Sequence, residues 1–172
     1  QIEIADVSED SSLSALDATL ILQYVVGLID TLPYPTDSQF EGTGEVSMDD
    51  IDASPGSTVE IPVNISNGGN IYGFEITLSY DPNILTYDTL QLTDLMGNYH
   101  LAVNDEQDGQ ITLAAAGSSP DGETGTFMVV SLTVGDNFSD QTEVFLTSLR
   151  WNEGELVENV ASSTLNYVLA VV

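Results

Sequence analysis

Apolar and polar residues alternate with a period of two over much of the chain after residue 45. In residues 59–65, Val and Ile alternate with Glu, Pro and Asn, and in residues 74–80, Phe, Ile, Leu and Tyr alternate with Glu, Thr and Ser. Successive side chains of a strand point to opposite faces, so this pattern predicts strands with one buried face. Further strands are predicted at 99–104, 110–116, 126–134, 142–150 and 164–171.

Turn residues separate these segments at short intervals. The turn signals are Asn-Gly-Gly-Asn at 67–70, Asp-Pro-Asn at 81–83, Asp-Gly at 108–109, Pro-Asp-Gly at 120–122 and Asn-Glu-Gly at 152–154. Short strands with regularly spaced turns are typical of an antiparallel β-sandwich. Because no long helix interrupts the strands, the pattern disfavours a parallel α/β sheet and predicts a mainly β domain over 45–172.

In residues 15–29 the apolar residues recur with the period of a helix instead. Leu16, Leu20, Tyr24 and Leu28 recur every four residues, and other apolar residues extend this surface around most of the helix. Such a helix needs cover on two sides. We expect one side to pack on its own sandwich and the other, including Leu20, Tyr24 and Leu28, to contact a partner chain. The alternative is that the helix only covers its own sandwich.

The chain therefore divides into three regions. Residues 1–32 hold a polar loop and the helix, and residues 33–44, with two prolines and two glycines, are predicted to be a linker. Residues 45–172 form the predicted sandwich. The chain is long enough for one ordinary domain with a small appendage.

Charge narrows the possible partners. The chain has 28 acidic residues against the single Arg150 and no Lys, so its net charge is −27. Nucleic acid is excluded as a natural partner, since phosphate binding needs cations. No run of 18 apolar residues is present, so no membrane insertion is predicted. Screening by salt or bound cations must offset the self-repulsion, which favours an extracellular, salty or calcium-rich setting.

Other features are consistent with secretion. The chain lacks Cys and begins at Gln1, which suggests a processed mature chain without disulfides. Asn64 and Asn137 each start an Asn-x-Ser pattern, so both are candidate glycosylation sites.

The strongest local motif lies in residues 6–17. Counting Asp6 as position 1 of a 12-residue loop places oxygen-bearing residues where an EF-hand-type loop needs them. The predicted calcium ligands are Asp6, Ser8, Asp10, the backbone carbonyl of Ser12, and Asp17, with a water beneath Ser14. Position 6 is Ser11, where a sharp turn favours Gly. The alternative is a Ser/Asp-rich turn that caps the following helix.

The loop and helix resemble one repeat of a dockerin. The resemblance is carried by Asp-Val-Ser-x-Asp at 6–10, Leu-Ser-Ala-Leu-Asp-Ala at 13–18 and Leu-Ile-Leu-Gln-Tyr-Val-Val-Gly-Leu-Ile at 20–29. Dockerins carry two such repeats and bind cohesins. Here one repeat is clear, and residues 44–50 hold only a faint echo of a second.

Residues 45–172 resemble a cohesin. The resemblance is carried by Ser-Pro-Gly-Ser-Thr-Val-Glu-Ile-Pro-Val at 54–63 and by the run from Ile71 to Leu85, with its Tyr-Asp-Pro-x-x-Leu turn. It implies a jelly-roll-like sandwich with one flat face for the dockerin. By the resemblance, Gly73, Glu75 and Thr77 face outward on one strand of that face, and Thr112, Ala114 and Ala116 on the next. The alternative places the alanines inside the sandwich.

These features favour a non-catalytic assembly module that binds a protein partner, with other copies of itself as the expected partner. The N-terminal element of one subunit would engage the sandwich of the next, and such a heterologous contact propagates into a filament. Two alternatives are packing within one chain and strand addition by residues 1–7 or 164–172.

Two further function classes compete with this one. A carbohydrate-binding module would use Trp151 and exposed tyrosines as a sugar platform, whereas a single Trp beside a hairpin turn is more often a residue at the edge of the core. Catalysis is disfavoured, since His100 is the single His, the chain has no Cys or Lys, and no Gly-x-Ser-x-Gly nucleophile motif is present. We expect His100 to lie in a loop or at a strand edge.

Overall fold

The computed structural model describes residues 5–8, 13, 15–33, 43–117, 124–152 and 154–169. In these residues one α-helix precedes ten β-strands, so the predicted mainly β class is confirmed. The elements are α1 (Ala15–Val25), β1 (Thr43–Met48), β2 (Ile51–Ala53), β3 (Thr58–Gly69), β4 (Gly73–Tyr80), β5 (Leu85–Leu92), β6 (His100–Asn104), β7 (Gln110–Ala116), β8 (Gly125–Val134), β9 (Gln141–Trp151) and β10 (Val157–Tyr167), with a short 3-10 helix at Asp94–Met96.

The strands form two sheets. The four-stranded sheet has the order β1-β3-β8-β5, and the six-stranded sheet has the order β2-β10-β9-β4-β7-β6. The paired strands are antiparallel except β2 and β10, which run parallel. No helix among the described residues is long and apolar enough to cross a membrane.

The core lies between the two sheets and is centred on Phe74 of β4. The Phe74 ring centroid lies 5.7 Å from that of Phe127 and 5.7 Å from that of Trp151, both at steep interplanar angles, and 5.9 Å from that of Tyr99. Edge-to-face contacts of this kind add to the hydrophobic stabilisation. Burial raises the pKa of the Tyr99 phenol, with a further contribution from Tyr72. The Tyr99 hydroxyl donates to the Ile71 carbonyl at 2.5 Å.

Alternation along β4 is as predicted. The side chains of Phe74, Ile76 and Leu78 are at most 1% exposed, whereas Glu75 and Thr77 are partly exposed on the other face. The predicted strand at 110–116 coincides with β7, and those at 99–104, 126–134 and 142–150 differ from β6, β8 and β9 by about one residue at an end.

The last predicted strand was placed too late. β10 spans Val157–Tyr167 rather than 164–171, and just after its end the backbone amide of Val168 donates to the carbonyl of Ala53 in the neighbouring β2. Its first half is irregular, because the register shifts between Glu158 and Ala161 and Asn159 has a φ of +53°. A bulge of this kind interrupts the alternation of buried and exposed residues, so the sequence pattern does not predict this part of the strand.

Other boundaries also differ. β1 begins at Thr43, inside the predicted linker 33–44, and β2 and β5 were not predicted. Half of the β5 residues 85–92 are exposed at the edge of the four-stranded sheet, and the β5 register shifts after Tyr87, so apolar residues do not alternate regularly there. Residues 5–8 form no strand, and residues 1–4 of the strand considered at 1–7 lie outside the described residues.

The helix ends at Val25, so the prediction that it continues to residue 29 was wrong. Gly27 has a φ of +76°, a left-handed conformation that glycine adopts without strain. The amide of Gly27 donates to the carbonyl of Tyr24, and that of Leu28 donates to the carbonyl of Gln23. These two bonds close the helix end in a Schellman motif, which the glycine in the sequence permits.

Candidate partner-binding face

The outward face of the six-stranded sheet is built from lateral rows of side chains that oppose one another on neighbouring strands. In the first row, Glu75 of β4 pairs with Arg150 of β9 on one side and with Ala114 of β7 on the other, and Ala114 pairs with Ala102 of β6. Because opposed residues on neighbouring strands point to the same face, these four side chains lie side by side.

The second row is polar and uncharged over four strands. Thr77 of β4 pairs with Ser148 of β9 and with Thr112 of β7, and Thr112 pairs with Asn104 of β6. None of these side chains is large. The row therefore continues the flat surface that begins at Glu75 and Ala114.

Between the rows lies a shallow depression of about 520 Å³, called the groove below. Its lining residues are Glu75, Ile76, Thr77, Ala102, Val103, Asn104, Thr112, Leu113, Ala114, Ser148 and Leu156. Of these, only Glu75 is charged. A surface with so little charge is unusual on a chain with a net charge of −27.

The structure brings most of the predicted face residues together. Glu75, Thr77, Thr112 and Ala114 line the groove, and Gly73 pairs with Ala116 at one end of the same strands. Gly73 is buried, whereas Ala116 is partly exposed.

The two alanines predicted to face outward, Ala114 and Ala116, lie outside the sandwich core. Ala114 and Ala116 are partly exposed, whereas Ala115 between them is 2% exposed and belongs to the core. Their position agrees with the outward placement, and their contact with a partner stays a prediction. No sequence signal marked Ala102, Asn104, Ser148 or Leu156, because the first three join the groove through strand pairing and Leu156 joins it from the segment between β9 and β10.

The ion pair at the edge of the groove is loose. Arg150 Nε lies 3.9 Å from Glu75 Oε2, and the two side chains are 30% and 40% exposed. Nε is buried and has no hydrogen-bond partner among the described residues. Exposed pairs of this kind contribute little to stability, about 0–1 kcal/mol.

The helix packs on its own sandwich, next to the strands that line the groove. α1 contacts β4 and β7, and the Thr19 hydroxyl donates to the Tyr72 carbonyl at 3.2 Å. Leu20 is completely buried with Val7, against Ile29, Leu32 and Tyr72. The prediction that Leu20 faces a partner is therefore corrected, since this side chain anchors the helix within the chain.

The opposite side of the helix is exposed and apolar. Tyr24 is 47% and Leu28 is 68% exposed, as the predicted partner contact requires. Their exposed apolar neighbours are Ile21, Leu22, Val25 and Val26. Asp30 is the only charged residue in residues 18–33, and it is exposed.

Asn152 fixes the end of β4 against which the helix packs. Its side-chain oxygen accepts from the amides of Tyr72 at 2.7 Å and Gly73 at 3.0 Å, and its side-chain nitrogen donates to the carbonyl of Asn70 at 2.7 Å. The residue is 2% exposed and has a φ of +48°. In the sequence it is visible only as a turn residue.

The described part of the predicted calcium loop is compact. Asp17 is 3% exposed, and its Oδ1 accepts from the amides of Val7 at 2.8 Å and Ser8 at 3.1 Å. The Ser8 hydroxyl donates to Asp6 Oδ1 at 3.2 Å. Three of the five predicted ligands thus converge, and their oxygens are the donors that calcium prefers.

The other two predicted calcium ligands, Asp10 and Ser12, lie outside the described residues, as does Ser14. Within the described residues alone, no group of three or more His, Cys, Asp or Glu could hold a metal ion.

Trp151 does not form a sugar platform. Its side chain is 7% exposed and packs against Phe74 and Phe127. The indole Nε1 donates to the Gly44 carbonyl at 3.3 Å. Apolar burial with a satisfied indole nitrogen makes this residue part of the core, so the carbohydrate-binding alternative loses the residue on which it was based.

The positions of His100 and of the two candidate glycosylation sites complete the comparison with the sequence. His100 is exposed at the start of β6, an edge strand, as expected. Asn137 is exposed between β8 and β9, whereas Asn64 is partly buried in β3 and its side-chain oxygen accepts from the Thr126 hydroxyl at 2.7 Å. Asn137 is therefore the more accessible of the two glycosylation candidates.

Comparison with known families identifies the sandwich. The model of the cohesin domain family matches residues 44–164, and the chain belongs to this family. Cohesin domains are non-catalytic protein-interaction modules. The match begins after the loop and helix, so the dockerin resemblance of residues 6–29 rests on its sequence pattern alone. No curated protein sequence gives a significant match to the chain.

Solved structures agree with this fold. The sixth cohesin of scaffoldin B from Acetivibrio cellulolyticus, solved in complex with a dockerin, superposes with a TM-score of 0.59 at 20% identity, over 73% of this chain and 99% of that one. The cohesin module of a family 33 glycoside hydrolase from Clostridium perfringens gives 0.61 at 13% identity, over 73% and 97%. A non-cellulosomal cohesin from the archaeon Archaeoglobus fulgidus gives 0.56 at 20% identity, over 74% and 92%.

Leu20→Ala is expected to release the helix from the sandwich. Removing this buried side chain leaves a cavity at the contact with Tyr72, at a cost of about 2 kcal/mol or more. Amide hydrogen exchange in residues 15–25 should therefore become faster, while exchange in β3 and β8 is unchanged. Leu22→Ala, on the exposed side of the same helix, is the matched control. Equal exchange in the two variants would contradict the anchoring role of Leu20.

Proposed function

We propose that this chain is an extracellular protein–protein assembly module that receives a helical, dockerin-type element of its partner in the groove of the six-stranded sheet. The observation that carries the proposal is the groove itself, in which Glu75 is the only charged lining residue on a chain with a net charge of −27.

The distribution of charge supports a protein partner. Charged residues are depleted in the cores of protein interfaces, and a charge taken out of water without a partner is costly. The groove offers Ala102 and Ala114 for apolar contact and Thr77, Thr112 and Ser148 for hydrogen bonds. Small side chains on a flat sheet also let the surface of a helix approach closely.

The expected class of partner comes from the related structures. The Acetivibrio cellulolyticus cohesin is in complex with a dockerin, and this chain shares its fold. Residues 6–29 resemble one dockerin repeat, so a copy of this chain offers such an element itself. We propose that copies associate head to tail, with the exposed side of one helix in the groove of the next. A contact between different surfaces propagates into a filament.

We also propose that calcium orders the loop before the helix. Asp6, Ser8 and Asp17 converge, and Asp10 and Ser12 would complete the oxygen set that calcium needs. Bound calcium would hold the loop closed and offset part of the negative charge. An extracellular location fits this proposal, because cohesins are typically extracellular or cell-surface proteins and calcium is abundant there.

Ala114→Trp tests the groove. The indole should fill the groove without disturbing the core, because Ala114 points outward. Sedimentation velocity in calcium and salt should show concentration-dependent association of the wild type and a monomeric variant. Thr89→Trp, on an exposed position of β5 in the other sheet, is the control and should associate as the wild type does. A monomeric wild type at high concentration would contradict self-assembly, and association of Ala114→Trp would show that the groove is not used.

Asp6→Asn together with Asp17→Asn tests the calcium site. Asn keeps the size and hydrogen-bonding oxygen of each side chain but removes the charge, so the loop retains its contacts while calcium affinity falls at least tenfold. Isothermal titration calorimetry should show one binding event in the wild type and in the control Asp136→Asn, which alters an exposed acid elsewhere. Equal calcium binding by the double variant would rule out these ligands.

A further inference from the structure

The single Lys or Arg side chain of the chain stands beside the groove. Arg150 is the one such cation among 172 residues, against 28 acids. It lies on β9 in the row that contains Glu75 and Ala114, two residues that line the groove. Any acidic chain that approaches this protein meets repulsion over the rest of the surface and attraction only here.

The guanidinium group of Arg150 has unused hydrogen-bonding capacity. Its Nε lies 3.9 Å from Glu75 Oε2, beyond hydrogen-bond distance, and finds no hydrogen-bond partner in the part of the chain that the structure describes. A guanidinium carries five N–H donors in a fork that matches a carboxylate. Nε itself is buried, so a second carboxylate would reach the guanidinium through the exposed part of the Arg150 side chain, which is 30% exposed, while Glu75 holds this side chain near the groove.

The segment that follows the helix carries one complementary charge. Between residues 18 and 33, Asp30 is the only charged residue, and it is exposed two residues after Leu28, which is 68% exposed. The helix and the segment after it thus offer exposed apolar side chains and one carboxylate, and the groove offers small neutral side chains with one guanidinium beside it. The two surfaces are complementary in charge.

We propose that Arg150 of one copy pairs with Asp30 of the next copy, and that this pair selects a second copy of this chain as the occupant of the groove. The inference rests on the head-to-tail association proposed above. The helix keeps its own anchor through Leu20, so its exposed side binds the next copy without leaving its own sandwich. The pair favours the correct register and raises the rate of encounter.

Exchange of the two charges tests the pair in the full-length chain. Arg150→Glu and Asp30→Lys should each weaken self-association at least tenfold, because each places like charges together. An equimolar mixture of the two variants should associate again, since every contact in an alternating assembly then joins opposite charges. Sedimentation velocity in calcium at one fixed ionic strength measures all three samples.

Controls separate this pair from general effects of charge and folding. Asp136→Lys changes the net charge as Asp30→Lys does, at an exposed site outside both surfaces, and should not weaken association. Thermal melting of each variant shows whether it is folded, and recovery in the mixture excludes misfolding as the cause of a loss. Association of either variant at the wild-type level, or a mixture that stays monomeric, would overturn the pairing. The groove itself is tested separately. If the wild type associates and Ala114→Trp does not, the groove is the binding surface even when the Arg150–Asp30 pair is overturned.

Discussion

The period of two along β4 and β7 determines both the core and the groove. On β4, Phe74, Ile76 and Leu78 point inward and join the aromatic cluster that holds the two sheets together, so Glu75 and Thr77 must point outward. The antiparallel register with β7 then places Ala114 and Thr112 beside them. A shift of one residue would expose the aromatic core and bury the groove residues, so the binding face is fixed by the same packing that stabilises the fold.

Charge is the second constraint, and it acts on the surface as a whole. With 28 acids and one Arg, most faces of the chain repel another acidic protein at low ionic strength. The groove and the exposed side of the helix carry little charge: Glu75 lines the groove with Arg150 beside it, and Asp30 lies in the segment after the helix. Association through these surfaces brings few carboxylates together.

Much of the fold was predictable from the sequence, because long strands that pack on a core keep a regular alternation. β4 and β7 were located almost to the residue, and Glu75, Thr77, Thr112 and Ala114 were placed correctly on one face. The wrong strand and helix boundaries occur where the backbone departs from a regular strand or helix. Bulges broke the pattern of β5 and β10, and Gly27 ended the helix early.

Features that depend on long-range pairing had no sequence signal. Ala102, Ser148 and Leu156 join the groove from β6, β9 and the segment after β9, and Leu20 turned inward only because the helix packs beside Tyr72.

Methyl NMR of the alanine-labelled chain over a dilution series tests the central claim most directly. Ala102, Ala114 and Ala116 report on the binding face, Ala18 on the exposed side of the helix, and the buried Ala53 on the core. With head-to-tail association, the methyl signals of the face and the helix should shift or broaden together as the concentration rises, while that of Ala53 does not move. Spectra that do not depend on concentration, or changes that spare the alanines of the face, would contradict it.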